Sequence, residues 1–164
     1  NVTLSKSMTA VPSRGFVGCE ALTELTLPAS IQDCGVTDTS VAFNDCTSLQ
    51  NIYVADGSLY FKSVDGVLFD KNGANLRYYP EGRTAESYRI PEGTIRVGGN
   101  AFAGNLFLKS VSYPTTLERI GTKAFFGCEN LKDYYFTGMT APLPTSWACG
   151  APPAPTASCT TTGA

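Results

Sequence analysis

The sequence predicts a repeat solenoid of the α/β type that is mostly β, in which short turns of chain stack and share one core. Three observations support this prediction. An apolar template recurs along the chain, two of its copies start 23 residues apart at Phe102 and Phe125, and the composition includes 16 glycines and 10 prolines. A fixed period of about 20–29 residues is the signature of a solenoid, and frequent Gly and Pro favour turns over long helices.

The repeated template is F-x-x-C-x-x-L-x-x-Φ-x-Φ, where Φ is an apolar or aromatic residue. Its copies start at Phe16, Phe43, Phe102 and Phe125. The other positions are filled by Cys19/Leu22/Leu25/Leu27, Cys46/Leu49/Ile52/Val54, Asn105/Leu108/Val111/Tyr113 and Cys128/Leu131/Tyr134/Phe136. One unit cannot bury its apolar face alone, so we expect a short right-handed leucine-rich-repeat solenoid of about five to six turns.

The L-x-x-Φ-x-Φ part of each unit predicts a short strand, and the strands are expected to form one parallel sheet along one side of the solenoid. The predicted strands lie at roughly 22–27, 49–54, 86–91, 108–113 and 131–136. Proline cannot continue a strand ladder, so Pro28, Pro91 and Pro114 are expected to end their strands. The segments between strands are predicted to be return arms made of turns or short helical pieces.

A central segment, residues 59–82, interrupts the period. It reads LYFKSVDGVLFDKNGANLRYYPEG and carries the turn signals DG and NG between apolar runs. This pattern predicts a β-hairpin insert. Inserts in solenoids map to one face, often the binding face, and the alternative is that the hairpin only fills space in the solenoid. The solenoid with this insert is predicted to span 1–136.

The remaining residues, 137–164, differ in composition. They hold five of the ten prolines and are rich in Ala, Thr and Ser, which predicts a cap over the last repeat followed by a linker. Cys149 and Cys159 flank a proline-rich span. We expect a disulfide between them that contributes about 2–3 kcal/mol and that implies an oxidising compartment.

The other cysteines fall into two groups. Cys19, Cys46 and Cys128 share one template position, which Asn105 fills in another copy. A position that accepts Cys or Asn indicates a small residue packed against, or hydrogen-bonded to, the backbone of the neighbouring turn. Metal binding is disfavoured there because equivalent residues lie about 4.8 Å or more apart along the stack. Cys34 lies outside the template and is expected to pair with Cys19 or Cys46, or to be free.

Composition argues against several classes of function. The chain has no histidine, which removes Ser-His-Asp and Cys-His catalysis. Its net charge is −2 with no basic stripe, which argues against nucleic-acid binding. No apolar run approaches the roughly 18 residues of a membrane helix. Outward-facing Glu24 and Asp133 are expected to lie roughly 19 Å apart, too far for a glycosidase pair at about 5–9.5 Å. The sequence therefore predicts no enzyme, no cofactor and no metal.

Two half-motifs alternate in register and together carry a family resemblance. The first reads PEGTIRVGGNAF at 91–102 and PTTLERIGTKAF at 114–125, and the second is the template above. The pair resembles the BspA-like leucine-rich repeat family over about 2–136, and the central segment is similar to an insert common in that family. The resemblance implies a secreted or cell-surface location and an extracellular binding scaffold, in some members for host matrix proteins, without catalysis.

The candidate binding surface is the outer face of the predicted sheet. In each strand the apolar positions point into the core and the residues between them point outward. The outward set is Glu24, Thr26, Asn51, Tyr53, Ser87, Arg89, Ser110, Ser112, Asp133 and Tyr135. Tyr and Arg dominate binding hot spots, although a plain solvated sheet face would also be polar.

The sequence leaves two hypotheses for function. The first is a non-catalytic extracellular recognition or adhesion module that binds protein or glycan, including host matrix or other cell-surface molecules, through the sheet face and the insert. The second is a building unit of a surface layer or extracellular fibre that assembles through solenoid ends and edge strands. Asn1-Val2-Thr3 is in addition a candidate N-glycosylation site in a eukaryotic secreted protein.

Overall fold

The computed structural model describes residues 2–37 and 40–136. These residues form eleven strands and no helix. The strands are β1 Val2–Thr3, β2 Glu24–Leu27, β3 Asn51–Val54, β4 Phe61–Val64, β5 Val67–Asp70, β6 Asn75–Tyr78, β7 Ser87–Arg89, β8 Arg96–Val97, β9 Ser110–Tyr113, β10 Arg119–Ile120 and β11 Asp133–Phe136. Asn1, Cys149, Cys159 and the segment 137–164 lie outside the described residues.

The strands that the template predicts pair in parallel. Strand β2 lies between β1 and β3, and β9 lies between β7 and β11. Leu25 is in register with Ile52, and Val111 with Tyr134, so each turn of the solenoid places equivalent template positions side by side. The prediction of a mostly β leucine-rich-repeat solenoid with parallel strands is confirmed.

The expectation of a single continuous sheet is wrong, because the parallel strands form two separate sheets, β1-β2-β3 and β11-β9-β7. The edge of β3 that would meet β7 is occupied by the turn between β4 and β5. The Ile52 amide donates to the Gly66 carbonyl at 2.8 Å, and the Ser63 hydroxyl donates to the Ile52 carbonyl at 2.6 Å. These two bonds take the positions that a neighbouring strand would otherwise use.

The central segment forms three strands where one hairpin was predicted. Strand β4 pairs antiparallel with β5, and β5 pairs antiparallel with β6. Strand β6 then pairs in parallel with β8, and β8 with β10. The return arms, predicted as turns or short helical pieces, therefore contribute the short strands β8 and β10 to a separate five-stranded sheet, β10-β8-β6-β5-β4. Backbone hydrogen bonds join the central segment to these strands.

The copy whose strand was predicted at 86–91 begins at Tyr79, a start that the sequence analysis did not assign. The Tyr79 ring stacks on Phe102 at 4.8 Å, and Phe102 stacks on Phe125 at the same distance. Gly82 takes the place of the cysteine in this copy. A Cβ atom there would lie 2.4 Å from the carbonyl carbon of Ser48, so the close approach of the two turns requires glycine.

The core consists of two apolar clusters that meet at the central segment. Phe43 and Tyr78 belong to the first cluster, with ring centroids 5.3 Å apart, whereas Tyr79 and Phe102 belong to the second. Tyr78 is the last residue of β6, Tyr79 follows it directly, and their side chains enter different clusters. The neighbouring tyrosines Tyr78 and Tyr79 therefore anchor both clusters, and both side chains are fully buried.

The shared cysteine position has the predicted role in the two copies with resolved contacts. The thiols of Cys46 and Cys128 donate to the carbonyls of Phe16 and Phe102, each in the preceding turn, at 3.0 and 2.9 Å. The four cysteines of the described residues, Cys34 among them, are free. Of the two alternatives for Cys34, the free thiol is the one observed, and pairing with Cys19 or Cys46 does not occur. Cys34 is instead fully buried in the first cluster.

Asn105 occupies the cysteine position of its copy and also bonds to the backbone of the preceding turn, with more hydrogen bonds. Its amide nitrogen lies 3.0–3.3 Å from the carbonyl oxygens of Pro80, Glu81 and Arg83 in the preceding turn. Its oxygen accepts hydrogen bonds from the amides of the next residues, Phe107 and Leu108, at 3.0 and 2.8 Å. One buried side chain therefore satisfies backbone groups of two consecutive turns.

Asn105→Ala is expected to lower the free energy of unfolding by about 3 kcal/mol or more, because several buried backbone groups lose their partner. Asn130→Ala is the matched control. Asn130 is exposed and donates one bond, to the Leu106 carbonyl at 2.6 Å, so its loss should cost about 1 kcal/mol or less. Urea unfolding of both variants measures the difference, and equal losses would contradict this role of Asn105.

Stability is also expected to fall at alkaline pH. Burial raises the pKa of the Cys46 thiol from its ordinary value of 9.0 to about 11 and that of Cys128 to about 12. In the unfolded chain these thiols ionise near pH 9.0, whereas the folded chain keeps them neutral. Their contribution to stability is therefore complete below that pH and is lost as the pH rises through the folded pKa values.

The free energy of unfolding, measured under reducing conditions, should decrease from about pH 8 to about pH 11. The decrease should be shallower in a variant carrying both Cys46→Ala and Cys128→Ala. A pH profile of this variant parallel to that of the wild type would show that the two thiols do not contribute.

Candidate functional site

The outward residues of the strands follow the predicted alternation. In β2, Leu25 and Leu27 are buried whereas Thr26 is exposed, and in β3 Ile52 is buried next to exposed Tyr53. Of the ten predicted residues, Glu24, Asn51, Ser110 and Ser112 are half-buried and Thr26, Tyr53, Ser87, Arg89, Asp133 and Tyr135 are exposed. All ten therefore lie on the outer side of their strands.

These residues form two surfaces, because the parallel strands form two sheets. On the first sheet Glu24 is in register with Asn51, and Thr26 with Tyr53. The sheet of β7, β9 and β11 carries two rows of these residues. The first row is Ser87, Ser110 and Asp133, and the second row is Arg89, Ser112 and Tyr135. The structure thus places Asn51 and Tyr53 next to the central segment, Glu24 and Thr26 on the neighbouring strand β2, and the other six residues on the sheet of β7, β9 and β11.

A shallow, open groove of about 590 Å³ lies beside β3. It is lined by Asn51, Tyr53 and Val54 of β3 and by Ser63, Asp65 and Gly66 of the central segment. Tyr53 is 42% exposed at this groove. The sheet face and the central segment, which the sequence suggested as separate candidates, meet here.

The turn that forms one wall of the groove is specified by its sequence. Asp65 and Gly66 both have positive φ, at 49° and 78°, as the Asp-Gly pair of a type I′ hairpin turn requires. Gly66 is needed for a second reason. A Cβ atom at this position would lie 2.2 Å from the side-chain oxygen of Asn51 and 2.8 Å from a guanidinium nitrogen of Arg83, so any larger residue would displace these two side chains or the turn.

Arg83 fastens this turn to the sheet. One guanidinium nitrogen lies 2.5 Å from the Asp65 carbonyl, 3.3 Å from the Gln50 carbonyl and 3.3 Å from the side-chain oxygen of Asn51. The guanidinium carbon also lies 5.4 Å from the centroid of the Tyr79 ring, within the range of a cation–π interaction. The charged group therefore holds β3, the turn and the aromatic core together.

The sequence analysis missed Arg83 because it did not assign Tyr79 as the start of a copy. The equivalent position in the other copies holds Glu20, Thr47, Leu106 and Glu129. The feature that could have identified Arg83 from the sequence is an arginine at this position, directly after the glycine that replaces the cysteine of the template.

Asn51 is fixed at both ends of its amide. Its nitrogen donates to the Glu24 carboxylate at 3.2 Å, and its oxygen accepts from Arg83. The floor of the groove is therefore held in one conformation before any ligand binds. Such pre-organisation reduces the entropy lost on binding.

The groups that line the groove are suited to binding. The groove offers hydroxyl, amide and carboxylate groups beside one tyrosine ring. Within residues 2–37 and 40–136, no cluster of three or more Cys, Asp or Glu side chains could hold a metal ion. Over the same residues, no helix has the length and apolar character needed to cross a membrane.

Comparison with known families bears on this arrangement. The model of the BspA type leucine-rich repeat region matches residues 1–72 and 78–144 in six copies. The chain belongs to the BspA-type leucine-rich repeat family. None of the curated proteins compared with the chain matches it.

Several solved structures are similar to this BspA-type chain. A leucine-rich cell surface protein from Faecalibacterium prausnitzii A2-165 is 34% identical over 82% of the chain, with a TM-score of 0.69. The pneumococcal vaccine antigen PcpA is 38% identical over 70% of the chain, with a TM-score of 0.63. The chain spans 34% and 27% of the length of these two proteins.

A third solved structure supports the fold alone. A leucine-rich repeat protein from Eubacterium ventriosum is 18% identical over 71% of this chain and 37% of its own, with a TM-score of 0.54. Taken together, the family match and the two more similar structures relate the chain to leucine-rich repeat proteins described as a cell-surface protein and as an antigen.

Replacing Arg83 is expected to release the turn from β3. A hydrogen bond from a charged donor contributes about 1.5–3 kcal/mol, so in Arg83→Met the Ile52 amide should exchange its hydrogen about tenfold faster or more. Arg89→Met, at an exposed position of β7, is the control and should leave this amide unchanged. Equal protection of Ile52 in both variants would contradict the fastening role of Arg83.

Proposed function

We propose that this chain is a non-catalytic extracellular module for recognition or adhesion, which binds a protein or glycan ligand through its outer sheet face and the central segment. The observation that carries the proposal is the pre-organised groove where these two surfaces meet. Asn51 and Tyr53 of β3 face Ser63 and Asp65 across it. Arg83 holds both walls in place.

The exposed aromatic residues support a role in recognition. Tyr53 and Tyr135 are 42% and 44% exposed, at outward positions of strands whose other outward residues are small, polar or charged. Tyrosine gives a large contact area with few rotatable bonds, and it is enriched at binding hot spots. Two such rings on an otherwise polar face are consistent with contact to another molecule.

The similar proteins support the proposed location. They are described as a cell-surface protein and as a vaccine antigen, which favours display outside the cell. A secreted or surface-attached module would meet host matrix proteins and the molecules of other cell surfaces.

We also propose that the solenoid coils in the right-handed sense, because strand–crossover–strand connections in parallel sheets adopt this hand.

A structural role is the second candidate. Strands β1 and β11 lie at outer ends of their sheets, with Val2 and Tyr135 exposed. Edge strands can pair with other chains, and assembly into a surface layer or fibre would use these ends. Light scattering of the purified chain separates the two candidates, because a strictly monomeric chain that captures a ligand contradicts the structural role.

The recognition proposal predicts a loss of ligand capture in one double variant. Tyr53→Ala combined with Tyr135→Ala should abolish binding to surfaces coated with matrix proteins or glycans, because both exposed rings are removed. Phe126→Ala is the matched control. Phe126 is 56% exposed, lies in a return arm, and should be replaceable without loss of capture. Unchanged capture by the double variant would remove the sheet face from the proposal.

A further inference from the structure

The chemistry of the groove beside β3 favours one class of ligand. We propose that this groove binds a neutral saccharide, by stacking one sugar ring on Tyr53 and accepting its hydroxyl hydrogen bonds on the central segment. The inference rests on the proposed recognition function and narrows its ligand. It is carried by the size of the groove, by the closed edge of β3 and by the groups that line it.

The size of the groove suits a small ligand or the end of a chain. Its volume of about 590 Å³ lies within the range of about 300–1,000 Å³ that is usual for small-molecule sites. A stable protein interface requires about 800 Å² on each partner with an apolar centre. The carbon surface in this groove comes mainly from Tyr53 and Val54, which is too little for such a centre.

The closed edge of β3 argues against an extended peptide. Peptides that add to a sheet bind through main-chain hydrogen bonds to a free strand edge. At the centre of β3, the Ile52 amide is bonded to the Gly66 carbonyl and the Ile52 carbonyl to the Ser63 hydroxyl. The groups that a peptide strand would use at this point are already taken by the turn.

The lining of the groove matches the surface of a sugar. One face of a pyranose ring carries C–H groups, which pack on an aromatic ring, whereas its edges carry hydroxyls that donate and accept hydrogen bonds. Tyr53 provides the ring. A carboxylate such as that of Asp65, which lines the groove, can accept two or more hydrogen bonds, and the Ser63 hydroxyl, which donates to the Ile52 carbonyl, keeps lone pairs to accept others.

The charges near the groove select against acidic sugars. Asp65 lines it, and the carboxylate of Glu24 lies on the neighbouring strand, 3.2 Å from the Asn51 amide. The nearby cation, Arg83, donates to the Asp65 and Gln50 carbonyls. A sulfated or carboxylated saccharide would therefore meet two carboxylate groups against one guanidinium group, which disfavours its binding.

The test is to measure binding of the purified chain to an immobilised array of neutral and acidic oligosaccharides. Calorimetry then gives the affinity for the neutral oligosaccharide that binds most strongly. Tyr53→Ala should lower the affinity about tenfold or more, because the stacking ring is lost. Phe126→Ala, which removes an exposed aromatic ring of a return arm outside the proposed site, is the matched control and should keep the affinity within about twofold.

A second variant keeps the test valid if Tyr53→Ala folds poorly. Asp65→Asn preserves the turn, because Asn-Gly also favours a type I′ hairpin, but it removes the carboxylate. It should weaken neutral saccharide binding several-fold without changing the pattern of amide exchange at Ile52. Wild-type affinity in this variant would contradict the assigned role of Asp65 and overturn the proposal.

The remaining outcomes are equally decisive. Binding of acidic oligosaccharides alone, binding that depends on Tyr135 and not on Tyr53, or no binding to the array would each overturn the saccharide proposal. If the chain binds no oligosaccharide but captures matrix protein through Tyr53 and Tyr135, the recognition function stands and only the saccharide inference fails. If it captures neither, both fail.

Discussion

Stacking of one aromatic ring per turn determines how the solenoid is built. In the first half Phe16 stacks on Phe43 with centroids 5.7 Å apart, and Tyr78 packs on Phe43 at 5.3 Å with its ring tilted by 42°. Tyr79 begins the second stack, which continues at 4.8 Å per step. Rings at this spacing fix the distance between turns, and the cysteine or asparagine three residues later fixes their rotation through a hydrogen bond to the preceding turn. The adjacent residues Tyr78 and Tyr79 join the two stacks at the place where the central segment enters.

The groove is a consequence of that junction. The central segment lengthens the chain between the two stacks, and its Asp65-Gly66 turn docks on β3 where the next parallel strand would otherwise lie. Arg83, one residue after Gly82, bonds to this turn and to β3. The residues that close the sheet edge are thus the same residues that shape the wall of the groove. The core packing and the proposed binding site cannot be separated in this part of the chain.

Much of the fold could be predicted from the sequence because its determinants are local and repeated. The spacing of Phe16, Phe43, Phe102 and Phe125 identifies the register, and alternation in each strand identifies outward residues such as Tyr53. The strand of a further copy was predicted at 86–91, but its start at Tyr79, one period of 23 residues before Phe102, was not assigned, since Tyr, Gly and Ala replace the Phe, Cys and Leu of the template at 79, 82 and 85. The division of the sheet and the contacts of Arg83 depend on where the turn docks in three dimensions, and no repeat in the sequence encodes that.

The proposed binding site is tested most directly by adding a ligand stepwise to the isotopically labelled chain and recording the chemical shifts of its amides. We expect the largest shifts at Asn51–Val54 and at the turn from Ser63 to Gly66, which line one groove. Shifts confined to Asp133–Phe136 or to the return arms would contradict this expectation, because the ligand would then bind away from the only feature that joins the sheet face to the central segment within the described residues.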